Sequence, residues 1–366
     1  MSIEIRDLRK SFGSLNAINR LSLHIDHGKM LVLLGPSGCG KTTTMRCIAG
    51  LERPSSGTIS IGGETMFDSA NNINIPINRR NVGMVFQSYA IWPHMSVFEN
   101  VAFPLRVKNI DRRETADRVG DILSKVGLAD FAERGASYLS GGQMQRVALA
   151  RSLVMRPSVL LFDEPLSNLD ARLRDRLRIQ LRELQTQFNI TSVYVTHDQS
   201  EALALADQIA VLHHGELLQL ADPVTIYSRP NSSTVADFLG YSNIFSIVDM
   251  KTIDIGKEVV LKEGSMVLRS SAAPDRELNS PHACIRPEDI DIGPWHDGIL
   301  PDVGENQLTG EVSLASFMGS LMQYRVRTSG GVIFEIFSRK IDSGIKLGDR
   351  VLLGIRPDRV HILPQI

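Results

Sequence analysis

Residues 139–143 read Leu139-Ser140-Gly141-Gly142-Gln143, and their place between two other motifs decides the fold. Ser140 is the kind of residue that caps a helix N-terminus, and the two glycines leave backbone N–H groups open to an anion. Upstream, Gly35-Pro36-Ser37-Gly38-Cys39-Gly40-Lys41-Thr42 fits the phosphate-loop pattern G-x-x-x-x-G-K-[ST]. Downstream, the apolar run Val159-Leu160-Leu161-Phe162 ends in Asp163-Glu164. A phosphate loop alone points to a nucleoside triphosphate and no further. The ordered set, with its spacings, makes chance agreement very unlikely.

Around these motifs the pattern alternates. Met30–Leu34 is a short unbroken apolar run, as expected of a strand buried on both faces. The phosphate loop follows it, and 42–50 has helical character, so the loop lies at a strand-to-helix turn. Residues 1–27 read as antiparallel strands with turns at Gly13 and Gly28. The stretch from about 88 to 157 is rich in helix formers, with helices expected over 111–126 and 140–155. Then come a strand (159–162), a helix (169–188), a strand (192–195), a helix (199–206) and a closing helix over 223–239, interrupted at Arg229-Pro230. Such alternation predicts a parallel α/β core. After Gly240 the texture changes to short β-rich runs between Gly, Pro and Asp turns. A weak repeat appears there, Ile285-Arg-Pro-Glu-Asp-Ile290 and Ile355-Arg-Pro-Asp-Arg-Val360. We therefore expect an α/β domain over 1–237, with a helical subdomain at about 88–157, and an all-β, OB-like domain over 238–366.

Composition sets limits. With 40 basic and 41 acidic residues, the net charge of -1 argues against a nucleic-acid or polybasic membrane binder. The three cysteines, Cys39, Cys47 and Cys284, show no metal-ligand spacing and suggest a reduced compartment. The start, Met1-Ser-Ile-Glu-Ile-Arg6, lacks the apolar stretch of a secretory leader. No run approaches the ~18 apolar residues of a membrane span. If the protein works at a membrane, other chains must hold it there.

The residue types define the expected chemistry. Gly35, Gly38 and Gly40 let the backbone wrap around phosphates, and the following helix offers its positive end. Lys41 should reach the β- and γ-phosphates, and the Thr42 hydroxyl should meet Mg²⁺. Asp163, at a strand end, suits Mg²⁺, while Glu164 can face the attacking water as general base.

The three motifs in this order resemble the ATP-binding-cassette (ABC) ATPases, and the resemblance covers the whole chain. It implies ATP and Mg²⁺ as ligands, with Pro36, Ser37, Cys39 and Thr43 completing the phosphate loop. It implies that Gln87 senses Mg²⁺ and water and that His197 contacts the γ-phosphate, so that Glu164, His197 and Gln87 form the catalytic set. Thr42, Gln87 and Asp163 would hold the metal. Phe12 lies where the family places an aromatic ring against adenine. Because ABC ATPases pair head to tail, Ser140, Gly141, Gly142, Gln143 and Asp170 would act on the nucleotide of a second copy. Ser167-Asn168-Leu169-Asp170 departs from the family's usual Ser-Ala-Leu-Asp, which weakens the case for Asp170. The C-terminal part looks like the β-rich TOBE domain of ATPase subunits from bacterial binding-protein-dependent importers.

That subgroup implies two integral-membrane permease subunits as partners, an indirect link to a solute-binding protein, and a place on the cytoplasmic face of the membrane. The permease would dock near 88–107, where Tyr89, Ile91, Trp92 and Met95 cluster. The Ser88–Val97 segment and the Arg-Pro repeat look most like ferric-iron and polyamine importers, with sugar importers sharing the architecture. A DNA-repair or chromosome-type ABC ATPase would carry a coiled-coil or zinc-bearing insertion between residues 42 and 139, which is missing. An exporter half would carry fused spans. A purely regulatory cassette would tend to lose Glu164 or His197, and both are present.

Overall fold

The computed structural model describes residues 1–263, 266–271, 278–295, 306–341 and 344–365. The chain divides into two units, Met1–Ser228 and Arg229–Ile366, each with its own apolar core. In chain order the first contains β1 (Ile3–Phe12), β2 (Leu15–Ile25), β3 (Met30–Leu34), α1 (Lys41–Ala49), β4 (Ser56–Ile61), β5 (Glu64–Asp68), β6 (Ile73–Asn74) and β7 (Val82–Val85). It continues with α2 (Val97–Val107), α3 (Arg112–Lys125), α4 (Gly141–Leu153), β8 (Val159–Asp163), α5 (Ala171–Phe188), β9 (Thr191–Val195), α6 (Gln199–Leu205), β10 (Gln208–His213), β11 (Glu216–Ala221) and α7 (Pro223–Ser228).

Every residue of β3, β8 and β9 is buried, as their unbroken apolar runs require in a parallel sheet covered on both faces. They form the centre of a six-stranded sheet, β11-β10-β3-β9-β8-β7, parallel except for the β10–β11 edge pair. A second, antiparallel sheet runs β2-β1-β4-β5-β6. One apolar cluster joins the two sheets through α1. Ile3, Ile5 and Leu8 come from β1, Leu31 and Leu33 from β3, and Met45 and Ile48 from α1. The helices α2, α3 and α4 pack on one another.

Arg80 ties the end of α1 to this frame. Its guanidinium is fully buried, and among the described residues no carboxylate pairs with it. It donates instead to the carbonyl oxygens of Cys47 (2.8 Å), Ile48 (2.9 Å) and Ile75 (2.7 Å). A cation is favoured there, because the last carbonyls of a helix carry its negative end.

The stretch 223–239 forms two helices rather than one interrupted helix. Pro230 can neither donate to a helix nor tolerate a helical residue before it, so α7 ends at Ser228. The next helix, α8 (Ser233–Phe238), starts afresh under a Ser232 cap. It falls in the second unit, whereas the sequence reading had placed it in the first domain.

The second unit holds β12 (Asn243–Thr252), β13 (Lys257–Leu261), β14 (Val267–Ser270), β15 (Pro281–Ile285), β16 (Ile290–Pro294), β17 (Gln307–Phe317), β18 (Met322–Thr328), β19 (Ile333–Ser338), β20 (Arg350–Ile355) and β21 (His361–Pro364). They make two antiparallel sheets, β14-β13-β12-β15-β21 and β16-β20-β17-β18-β19, around one core. The Arg-Pro repeat is where the chain changes sheet. One copy leads from β15 through a 3-10 turn into β16, and the other from β20 through a 3-10 turn into β21. Because β15 pairs with β21 and β16 with β20, the two crossings run in opposite directions side by side. The residue before each proline, Arg286 or Arg356, is extended, as that position demands.

Candidate nucleotide-binding site

Helix α1 has an open N-terminus. Side chains cap α2 through α6 and α8, from Ser96, Asp111, Ser140, Asp170, Asp198 and Ser232. The N-cap of α1 is Gly40, with no side-chain bond to the first turn. Its free N–H groups and positive end therefore face the cleft, which makes a seat for an anion. Gly40 holds φ +101°, and a Cβ there would lie 2.3 Å from the carbonyl oxygen of Ala17, so only glycine fits the turn. Lys41 is buried and folds back on the loop, donating to the carbonyl oxygens of Gly35 (2.8 Å) and Pro36 (2.9 Å). Cys39 lies buried beneath the loop, and burial pushes its thiol up, away from the reactive thiolate.

The cleft, about 570 Å³, is lined by Phe12, Leu15, Ala17, Ser37, Gly38, Gly40, Lys41, Thr42, Thr43, Glu164 and His197. Phe12 is 46% exposed beside the Lys10 ammonium, which stands 4.5 Å from its ring centre. At the other end the Thr42 hydroxyl donates to Asp163 Oδ1 at 3.1 Å. Burial raises the Asp163 carboxyl above the usual carboxylate range, and the Thr42 hydrogen bond and the Arg46 charge act against the rise. Glu164 follows with φ +44°, a conformation that costs a non-glycine residue ~1–2 kcal/mol. It is fixed there because its N–H donates to Val195 O (3.1 Å) and its carbonyl accepts from Ser167 Oγ (2.9 Å). The side chain reaches His197 Nδ1 at 3.3 Å. Behind His197, the buried Glu201 accepts from the Tyr194 and Thr196 hydroxyls, both at 2.8 Å, and steadies the strand end that carries the histidine.

Ser140, Gly141, Gly142, Gln143, Asp170 and Gln87 do not line this cleft. Ser140 and Gln143 close a reciprocal capping box at the start of α4. Gly142 has a packing duty that the sequence did not reveal. A Cβ there would lie 3.1 Å from Leu173 and 3.3 Å from Leu177, so its absence lets α4 approach α5. Asp170 caps α5 through the Leu173 N–H at 2.9 Å. Gln87 is exposed, and its carbonyl accepts from Asn168 Nδ2 at 3.1 Å. Tyr89 and Ala90 both hold positive φ (60° and 48°), and Arg151 donates from its two terminal nitrogens to their carbonyls at 2.7 and 2.6 Å. Tyr89 itself is buried, while the Trp92 and Phe103 rings meet at a 43° tilt with their centres 4.4 Å apart.

A family pattern described as ABC transporter matches residues 18–167, and one described as TOBE domain matches residues 283–363. The chain is 43% identical over 352 residues to the Fe(3+) ions import ATP-binding protein FbpC of Rhizobium etli, which spans 96% of this chain and 95% of that protein. The chain belongs to the ATP-binding subunits of ABC importers. This importer subunit is also 42% identical to the spermidine/putrescine import ATP-binding protein PotA of Rubrobacter xylanophilus, over 90% of this chain and 85% of the other. It is 40% identical to the trehalose/maltose import ATP-binding protein MalK of Thermococcus litoralis, over 98% and 96%. Among solved structures, cbiO1 from Clostridium perfringens, part of the ABC transporter complex cbiONQ, superposes with a TM-score of 0.57 at 27% identity. That match covers 64% of this chain and 92% of cbiO1. The subunit binds nucleotide and is an ATPase coupled to transport.

The structure brings Phe12, the phosphate loop, Glu164 and His197 together from β1, the start of α1 and the ends of β8 and β9. Sequence reasoning missed Leu15 and Ala17, which also line the cleft. Leu15 left one signal, an apolar residue next to a hairpin turn, and it is 66% exposed. Arg151 and the amide of Asn168 left none, because their partners are backbone carbonyls.

Proposed function

We propose that two copies of this importer ATPase bind two ATP molecules head to tail, each cleft completed by Ser140–Gln143 and Asp170 of the other copy. The observation that carries this is the pair of helix starts. The N-terminus of α1 is open within its own cleft, and that of α4 is exposed outside it. Within the cleft, the loop N–H groups and Lys41 grip the phosphates. Phe12 stacks on the base, Glu164 takes a proton from the attacking water, and His197 contacts the γ-phosphate. Thr42 and Asp163, an all-oxygen pair within hydrogen-bonding distance, fit Mg²⁺. Held by these two oxygens, Mg²⁺ would supply positive charge against that building on the phosphates. On this reading Gln87 senses Mg²⁺ and the attacking water.

On this reading the subunit is peripheral to the cytoplasmic face of the membrane. No helix of the described residues is long and apolar enough to cross a membrane. Two permease subunits dock beside Ile91–Met95 and α2, where Phe103 and Val107 stay exposed. A solute-binding protein delivers cargo to them. Ferric iron or a polyamine is the proposed cargo, with sugars second because the trehalose/maltose relative matches over almost the whole chain. Uptake of labelled ferric iron, putrescine and maltose is measured in cells with and without this subunit. Loss of iron or putrescine uptake is expected on deletion. Loss of maltose uptake alone transfers the assignment to sugars.

A further inference from the structure

We propose that the loop 87–90 links the two nucleotide sites mechanically, fastened by the positioning residues Asn168 and Arg151. This rests on the reading that Ser140 and Asp170 face the partner's nucleotide while Gln87 faces the chain's own. Asn168 lies two residues before Asp170, and its amide donates to Gln87 O at 3.1 Å. Arg151 sits in the last turn of the helix that Ser140 opens. Its two terminal nitrogens hold Ala90 O (2.6 Å) and Tyr89 O (2.7 Å), and its guanidinium lies 4.7 Å from the Trp92 ring centre.

Both elements that meet the partner's nucleotide thus grip the same short loop, and they grip it by its carbonyls. The Gln87 side chain stays free to reach a nucleotide. The 13-residue helix α4 is unbroken from Ser140 to Arg151, so a shift at its start is transmitted to its end. Tyr89 and Ala90 hold positive φ (60° and 48°), a conformation that costs a non-glycine residue ~1–2 kcal/mol, and the Arg151 bonds to their carbonyls work against that strain. The Asn168 amide, two residues from Asp170, supplies the shorter of the two paths.

The test uses the full-length protein and reads the Hill coefficient of ATP hydrolysis separately from half-saturating ATP and turnover. Asn168→Asp keeps the shape of the side chain but turns its donor into an acceptor facing the Gln87 carbonyl. Arg151→Lys keeps the charge and loses the planar fork. Asn168→Asp is expected to bring the Hill coefficient toward 1, with half-saturating ATP within about threefold of wild type. Arg151→Lys should fall between wild type and Arg151→Ala. A wild-type Hill coefficient retained by Asn168→Asp and Arg151→Lys overturns the link. So does loss of turnover and ATP affinity without a change in the Hill coefficient, or a wild-type coefficient of 1. The head-to-tail reading is judged apart from this, by counting ATP occluded in mixed dimers of chains with intact Asn168 and Arg151. Its failure there removes the basis of the link as well.

Discussion

Glu164→Gln is expected to lower ATP turnover by about 10²- to 10⁴-fold while ATP stays bound, the range for loss of a positioned proton acceptor. The glutamine keeps the length and shape of the side chain, and the backbone bonds to Val195 and Ser167 that fix position 164 are untouched. What is lost is a carboxylate facing the cleft beside His197 Nδ1. With hydrolysis blocked, the ATP-bound pair should accumulate. Steady-state phosphate release and size-exclusion chromatography in ATP check the two halves of this expectation. Turnover near the wild-type rate, with Glu164→Gln folded, removes Glu164 from the catalytic role.

Lys41→Ala is expected to act one step earlier, on binding. Removing a charged donor from a phosphate site costs about 1.5–3 kcal/mol, or roughly a 10- to 100-fold rise in the ATP dissociation constant. The same ammonium holds the Gly35 and Pro36 carbonyls, so the loop loses its internal tie as well. Equilibrium binding of a fluorescent ATP analogue measures the loss. Unchanged affinity would mean that the lysine serves the loop alone.

The parts of this molecule legible in the sequence share a property: their physics is local. The β3 run is apolar because both faces of the strand are covered. The phosphate loop carries glycine where, at Gly40, a Cβ would strike the backbone. Asp163-Glu164 can be read because a strand end presents its side chains to a crevice. Element ends went astray where a cap or a proline decided them. The helix expected from 169 begins at Ala171 because Asp170 caps it, and 223–239 splits because Pro230 stops a helix.

Long-range pairing was not legible. The strands after residue 240 could be anticipated, but not that β15 would pair with β21 while β16 paired with β20. Short alternating strands carry no register across such separations. The Arg-Pro repeat was visible as letters, and its role in moving the chain between sheets emerged only with the pairing. Asn168 to Gln87 spans 81 residues and Arg151 to Ala90 spans 61, and both end on carbonyls that every residue possesses. Ser140 and Gly142 show the converse. The motif marked both, but only the fold separates an exposed cap from a glycine packed closely against α5.

That separation sets the design of the most direct measurement. Ser140 is exposed, so arginine is accommodated in the free chain with loss of one helix cap, about 1 kcal/mol. Gly142 is unsuitable, because any side chain there meets Leu173. In a Glu164→Gln background, where bound ATP is not consumed, Lys41→Ala chains are mixed with Ser140→Arg chains and the mixed dimers are isolated. Retained ATP is then counted. Head-to-tail sites place both lesions in one cleft and leave the other intact, so one ATP per mixed dimer is expected and none in either parent. A mixed dimer that retains no ATP, together with wild-type chains that keep theirs when paired with a doubly substituted partner, would show each chain completing its own site and would contradict the account.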